Sequence, residues 1–160
     1  MTVATGKPLI FMGADHGGLP LKQHLKAYLE GQGYAVKDFG THTPAAVDYP
    51  DFAYLVARAV ADARLAGQAA FGIMIDAIGV ASAMVCNRVP GLRAAPVWCE
   101  LSARSAREHN DAHVMTLGGR VIGPGLAEAL VDAFLGTAYG GGRHQARVDK
   151  IHAVAGEKPL

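Results

Sequence analysis

The sequence lacks most of the features that would place a protein in a specialised class. Two cysteines, Cys86 and Cys99, in 160 residues are too few for a disulfide framework and have no metal-ligand spacing. Charge is sparse and balanced: 15 Lys and Arg against 14 Asp and Glu leave no basic surplus for nucleic acid or an anionic membrane surface. No apolar run approaches the roughly 20 residues of a membrane span. Met1 to Pro8 has no basic region leading into an apolar stretch, so no secretory signal is read there. A P-loop lysine signature and a complete dinucleotide glycine pattern are both missing, and Gly13-Ala-Asp-His-Gly-Gly18 resembles such a loop only superficially. These absences predict a soluble cytoplasmic protein of one domain over residues 1–160, with no nucleic-acid or membrane partner.

What is present is an alternation of strand-like and helix-like segments. Apolar strand patterns cover Leu9–Ala14, Tyr34–Phe39, Phe71–Ile75, Leu92–Val97 and Val114–Gly118. Helical periodicity covers Leu19–Glu30, with Leu21, Leu25, Tyr28 and Leu29 on one face and Lys22, Gln23 and Lys26 on the other. Pro50 opens a second helix through Ala66, and a small-residue helix follows strand three to about Arg88. Glu100–His109 and Pro124–Leu135 complete the helical set before a basic segment from Arg143 to about Val154. Strands alternating with helices predict an α/β fold: a Rossmann-like three-layer sandwich around a five-stranded parallel sheet.

Such sheets bind ligands beyond the carboxyl ends of their strands, and four polar clusters fall at or near predicted strand ends. Asp15-His16 follows strand one; it reads equally as a helix cap with a solvated histidine and as a ligand-contacting pair. Asp76 ends strand three and faces the backbone N–H groups of Ala77, Ile78, Gly79, Val80 and Ala81. An isolated Asp there is more often an N-cap than a catalytic group. Glu108-His109-Asn110-Asp111 precedes strand five, where a catalytic histidine competes with a buried network or a surface turn. Arg143 and Arg147 share a helix face at i, i+4, either as solvated side chains or as a phosphate clamp. His24, His42 and His113 read as structural, His152 as solvated near the tail, and Cys86 as packing.

In this order the clusters resemble the ribose-5-phosphate isomerase type B and galactose-6-phosphate isomerase family. The matching pieces are Gly13–Gly18, Asp38-Phe-Gly-Thr41, Val47-Asp-Tyr-Pro-Asp-Phe52, Ser105–Ala112, Leu117-Gly-Gly-Arg-Val-Ile-Gly123 and Gly141-Gly-Arg-His-Gln-Ala-Arg147. They run from about Leu9 to Ile151. The resemblance implies interconversion of aldose and ketose sugar phosphates through an enediolate, without metal or other cofactor, with ribose 5-phosphate as the default substrate. It implies a homodimer or dimer of dimers whose active site is shared between subunits, with residues from about 140 to 160 packing on a partner. By position, Asp15 and His16 would contact the sugar, His109 would assist ring opening, and Asn110 would orient the substrate. Arg120, Arg143 and Arg147 would hold the phosphate.

The family's base, often a cysteine at the end of strand three, falls on Asp76. Its Gly-rich anion hole falls on Ala77, Ile78, Gly79, Val80 and Ala81. The usual Cys-Gly-Thr-Gly-Ile-Gly is here Asp76-Ala-Ile-Gly-Val-Ala81, and the glutamate that another branch uses as base corresponds to Ser82. The resemblance therefore implies Asp76 as base. The alternative is a sugar-phosphate binder, catalytically silent or of altered specificity, that keeps the phosphate handle without the usual Cys and Thr.

Overall fold

The computed structural model describes residues 6–158 and 160. Five strands, β1 (Leu9–Ala14), β2 (Val36–Asp38), β3 (Ala70–Asp76), β4 (Ala94–Pro96) and β5 (Val114–Gly118), form one sheet in the order β2-β1-β3-β5-β4. All neighbouring pairs are parallel. Helices α1 (Leu19–Gly31), α2 (Tyr49–Leu65), α3 (Val80–Cys86), α4 (Glu100–Glu108) and α5 (Pro124–Gly136) connect or flank them, and α6 (Gln145–Ala155) closes the chain.

Side-chain alternation along the strands decides which helices cover which face. Ile10, Met12 and Ala14 of β1 join Ile73, Ile75, Met115 and Leu117 in one core layer, against Leu25 of α1, Ala106 of α4 and Leu130 and Phe134 of α5. Phe11, Ala70, Met74 and Val114 point the other way, against Val56 and Val60 of α2 and Cys86 of α3. This is the expected three-layer arrangement. Chain order reverses between β1 and β3, so the crevice at their carboxyl ends is the topological switch point. Among the described residues no helix is long and apolar enough to cross a membrane.

The differences from the expected elements lie at edges and in polar contacts. β2 and β4, the two edge strands, are three residues each, shorter than their apolar patterns because each has a hydrogen-bonding partner on one side only. Lys22, expected on the outer face of α1, is fully buried and donates to Asp38 Oδ1 at 2.5 Å. Burial alone would raise the Asp38 carboxyl; hydrogen bonds from Lys22 and the Gly40 N–H outweigh it and hold that carboxyl below the usual range.

His152, expected in solvent, is 2% exposed. It belongs to a buried network at the amino ends of β4 and β5. Arg93 Nη1 lies 2.6 Å from His152 Nε2, and Arg93 Nη2 lies 3.0 Å from His113 Nε2 and donates to Asp111 Oδ2 at 3.0 Å. The last helix docks through Val148 and His152, and the Gly91 N–H donates to Glu157.

His113 is fully buried. Burial first, then the charges of Arg64, Arg93 and Arg107, push its imidazole down to about 2 from an ordinary 6.5. The folded protein therefore holds His113 neutral where the unfolded chain protonates it, so stability is complete above pH 6.5 and falls as the pH drops below it. Lowering the pH to 5 is expected to remove about 2 kcal/mol of unfolding free energy through His113 alone. Burial likewise lowers His152 and adds in the same direction. Urea unfolding at pH 7 and pH 5 checks this; equal midpoints would contradict a neutral buried His113.

Candidate active site

At the switch point an open pocket of about 380 Å³ is lined by Asp15, Tyr49, Asp76, Ala77, Ile78, Val80 and Ala81. Both strand-end carboxylates lie in its wall and both are nearly buried, Asp15 at 7% and Asp76 at 5% exposure. Asp15 follows β1 and turns the chain into α1: its Oδ1 accepts the N–H groups of Gly17 at 2.9 Å and Gly18 at 3.0 Å. Gly18 is required there, since a Cβ would fall 2.2 Å from the Ile75 carbonyl oxygen. His16 is exposed, and its Nδ1 accepts the Val47 N–H at 3.3 Å.

Asp76 is held more completely. Its Oδ1 accepts the N–H of Ile78 at 2.7 Å and that of Gly79; its Oδ2 accepts the N–H of Ser82 at 3.0 Å and the Ser82 hydroxyl. Gly79 sits at φ 89°, and a Cβ there would meet the Leu117 carbonyl carbon at 2.7 Å. Its carbonyl also accepts the Thr116 hydroxyl. The loop is thus pinned to both β3 and β5 by contacts that only glycine permits. The N–H groups of Ile78 and Gly79, two of the expected anion-hole donors, point at Asp76. Those of Ala77, Val80 and Ala81 carry no protein acceptor among the described residues. Ile78 and Val80 are 58% and 47% exposed and give the pocket an apolar wall.

The remaining predicted residues are not all in this crevice. Arg120 follows β5 at the carboxyl edge, its N–H donating to the Ala77 carbonyl and its side chain exposed. His109 and Asn110 precede β5 and so lie at the opposite, amino edge. Arg143 and Arg147 are with them: the Gly140 N–H donates to the Glu108 carbonyl at 2.9 Å, and the His109 and His144 rings stack at 4.4 Å. β5 has four residue steps of about 3.3 Å, which puts roughly 13 Å between its ends.

His109 Nδ1 lies 3.1 Å from the Ser105 hydroxyl, and the Asn110 amide donates to the Ser105 carbonyl. Arg93 Nε donates to the Asn110 carbonyl at 2.8 Å, so the buried arginine network fixes the turn that carries His109. Arg143 falls in a 3-10 turn, Gly142–His144, that leads directly into α6, rather than in the same α-helix as Arg147. Both guanidinium groups are exposed, and like Arg120 they make no hydrogen bond or ion pair among the described residues. Burial and the neighbouring His109, Arg143 and Arg147 keep His144 below its ordinary value, as expected beside clustered positive charge.

Two contributors escape sequence reading. Tyr49, at the first turn of α2, reaches the pocket only because α2 starts beside the β1–β3 crevice. Ser82 engages Asp76 from six residues away, one turn into α3, a pairing whose only sequence signal is a hydroxyl where another branch of the resembling family has an acid.

The sequence profile of the Ribose/Galactose Isomerase family matches residues 10–151. Ribose-5-phosphate isomerase B of Escherichia coli K12 is 42% identical over 145 residues, covering 91% of this chain and 95% of that protein. The structure of ribose-5-phosphate isomerase B from Clostridium thermocellum superposes with a TM-score of 0.86 at 43% identity, covering 92% of this chain and 97% of the other. That of Mycoplasma genitalium, with bound ribulose-5-phosphate, gives 0.85 at 38% identity, covering 93% and 97%. With a family profile matching residues 10–151, a shared fold and 42% identity over 91% of its length, the chain belongs to the ribose/galactose isomerase family.

Proposed function

We infer that the protein is an aldose–ketose isomerase acting on a sugar phosphate. The reaction moves a proton between adjacent carbons through an enediolate, with His109 assisting ring opening and ribose 5-phosphate the default substrate. The observation that carries this reading is the pair of carboxylates lining the switch-point pocket of a sheet that matches an isomerase family over nearly its full length. A proton transfer beside a carbonyl needs a base over the C1–C2 unit and donors for the developing oxyanion. The pocket offers Asp15 and Asp76 for the first, and the unengaged N–H groups of Ala77, Val80 and Ala81 for the second. The walls of Ile78, Val80 and Ala81 are apolar, which favours a small or sparsely hydroxylated sugar chain beside the reacting carbons.

Assembly follows from the same geometry. One chain places its carboxylates and Arg120 at one edge of the sheet, and His109, Asn110, Arg143 and Arg147 at the other. A second copy that sets its amino edge against this crevice completes the site, giving a homodimer or a dimer of dimers. Exposed apolar side chains next to the pocket, among them Val80, Met84, Tyr54 and Leu55, offer a surface for such contact. The stretch from about 140 to 160 would take part in that contact through the outward-facing Arg147, Ile151 and Val154. Such an enzyme would act in cytoplasmic carbohydrate metabolism, with pentose phosphates as its natural currency.

A second reading, a sugar-phosphate binder without turnover, is favoured by the full hydrogen-bonding of Asp76 and by Ile78 in place of the family's threonine. One experiment separates the two. The protein is incubated in D₂O with aldose and ketose phosphates of four, five and six carbons, and deuterium entering the carbon beside the carbonyl is followed by NMR. Isomerase function predicts exchange and product for at least one sugar. Binding of a sugar phosphate with no exchange for any of them would leave only the binder.

A further inference from the structure

Resting on the isomerase reading, the proton transfer needs a group with a lone pair to spare, and the two pocket carboxylates differ in that respect. A carboxylate offers about four acceptor positions. Asp76 has all four filled: Ile78 and Gly79 donate to Oδ1, and the N–H and hydroxyl of Ser82 to Oδ2. Taking up a proton on Oδ1 would set a new O–H against two backbone N–H donors, and on Oδ2 it would require the Ser82 hydroxyl to turn and accept beside the Ser82 N–H. The Ile78–Gly79 backbone that supplies two of these donors packs closely on the end of β5: a Cβ at Gly79 would lie 2.7 Å from the Leu117 carbonyl carbon and one at Gly118 would lie 2.5 Å from the Ile78 oxygen.

Asp15 is built differently. Two backbone N–H groups, from Gly17 and Gly18, both bind Oδ1 and fix the plane of the carboxylate. Oδ2 receives no hydrogen bond among the described residues, although the side chain is 7% exposed and lines the same pocket. One oxygen is an anchor and the other is a free acceptor on a residue of the pocket wall.

We propose that Asp15 is the base of the isomerisation and that Asp76 is a positioning residue holding the Ala77–Ala81 loop. Asp15 Oδ2 takes the proton from the carbon next to the carbonyl. The C–H electron pair becomes the C=C bond of the enediolate, and the carbonyl π pair moves onto oxygen, where pocket N–H groups meet it. Asp15 then returns the proton to the neighbouring carbon, while the hydroxyl proton passes between the two oxygens through water. Sugar and enzyme end with the atoms and charges they began with. The family-matched position for the base, the end of β3, thus becomes scaffold, and the acid across the crevice, just after β1, takes over its task.

The substitution Asp15→Asn isolates this role. The amide oxygen keeps both bonds from Gly17 and Gly18, and only the free oxygen is exchanged for a group that cannot accept a proton. Ribulose 5-phosphate is the appropriate probe: its C5 oxygen is esterified, so it has no ring to open, and a defect in ring opening leaves no trace. The measurement is the rate of deuterium entry at C1 in D₂O, with Tm and equilibrium binding of the sugar phosphate measured on the same samples.

Asp15→Asn is expected to keep its Tm and its binding, and to lose about 10²–10⁴-fold in exchange rate, the usual contribution of a positioned base. Asp76→Asn is expected to lower the Tm, since an amide NH₂ would face donors, yet to exchange faster than Asp15→Asn at temperatures where it is folded. Exchange surviving in Asp15→Asn overturns the assignment. So does Asp76→Asn with unchanged Tm and binding and no exchange. If the unaltered protein exchanges neither ribulose 5-phosphate nor any other sugar phosphate, the isomerase reading itself falls and takes the base with it.

Discussion

Replacing Arg143 and Arg147 together by alanine is expected to lower kcat/KM for a sugar phosphate by about 10²–10⁴-fold, because each charge-assisted bond to phosphate contributes roughly 1.5–3 kcal/mol. The loss should fall mainly on KM, since the phosphate is bound alike in ground and transition states. Folding should be untouched: both side chains are exposed and neither has a protein partner among the described residues. The double lysine variant should recover only part of the loss, as an ammonium cannot grip two phosphate oxygens in parallel. Steady-state kinetics with a thermal melt on each variant decide the matter. An unchanged KM would mean that these arginines are ordinary surface residues and that the phosphate is held elsewhere.

The same variants probe the electrostatics of the amino edge. His109 and His144 stack beside the two arginines, and His144 is held below its ordinary value by burial and by these neighbours. These four groups, of which only His109 has a carboxylate within ion-pair distance among the described residues, Glu108 at 3.9 Å, form a natural seat for a dianion.

Much of this was legible in the sequence, and what was not has identifiable causes. The apolar strand patterns and the Pro-opened helices α2 and α5 fixed the layers, because buried parallel strands carry runs of apolar residues that little else explains. The carboxyl-edge position of Asp15 and Asp76 followed from the same alternation. Lys22 was misjudged because helical periodicity sorts residues by type and cannot anticipate that Asp38, on a neighbouring strand, provides a buried partner. His152 was misjudged because nearness to a terminus suggests solvent, whereas α6 folds back onto Arg93.

The separation of His109, Arg143 and Arg147 from the carboxylates needs the direction of β5, which a list of motifs in chain order does not display. The state of Asp76 was the least accessible. Whether an acid at a strand end is a base or an anchor depends on how many donors reach it. Those donors are backbone groups and Ser82, which pattern reading does not place.

The central claim is that a catalytic site forms between the carboxyl edge of one subunit and the amino edge of another. Mixing two inactive variants tests it most directly. Asp15→Asn disables the carboxyl-edge half, and the Arg143→Ala, Arg147→Ala double variant disables the amino-edge half. Each alone should be nearly inactive. After unfolding and refolding together in equal amounts, about half the dimers are mixed, and each mixed dimer has one site carrying both lesions and one carrying none. A shared site predicts recovery of about a quarter of the unaltered protein's activity, from one intact site in two among half the dimers. Mixed dimers seen by native mass spectrometry with no recovered turnover would contradict a shared site.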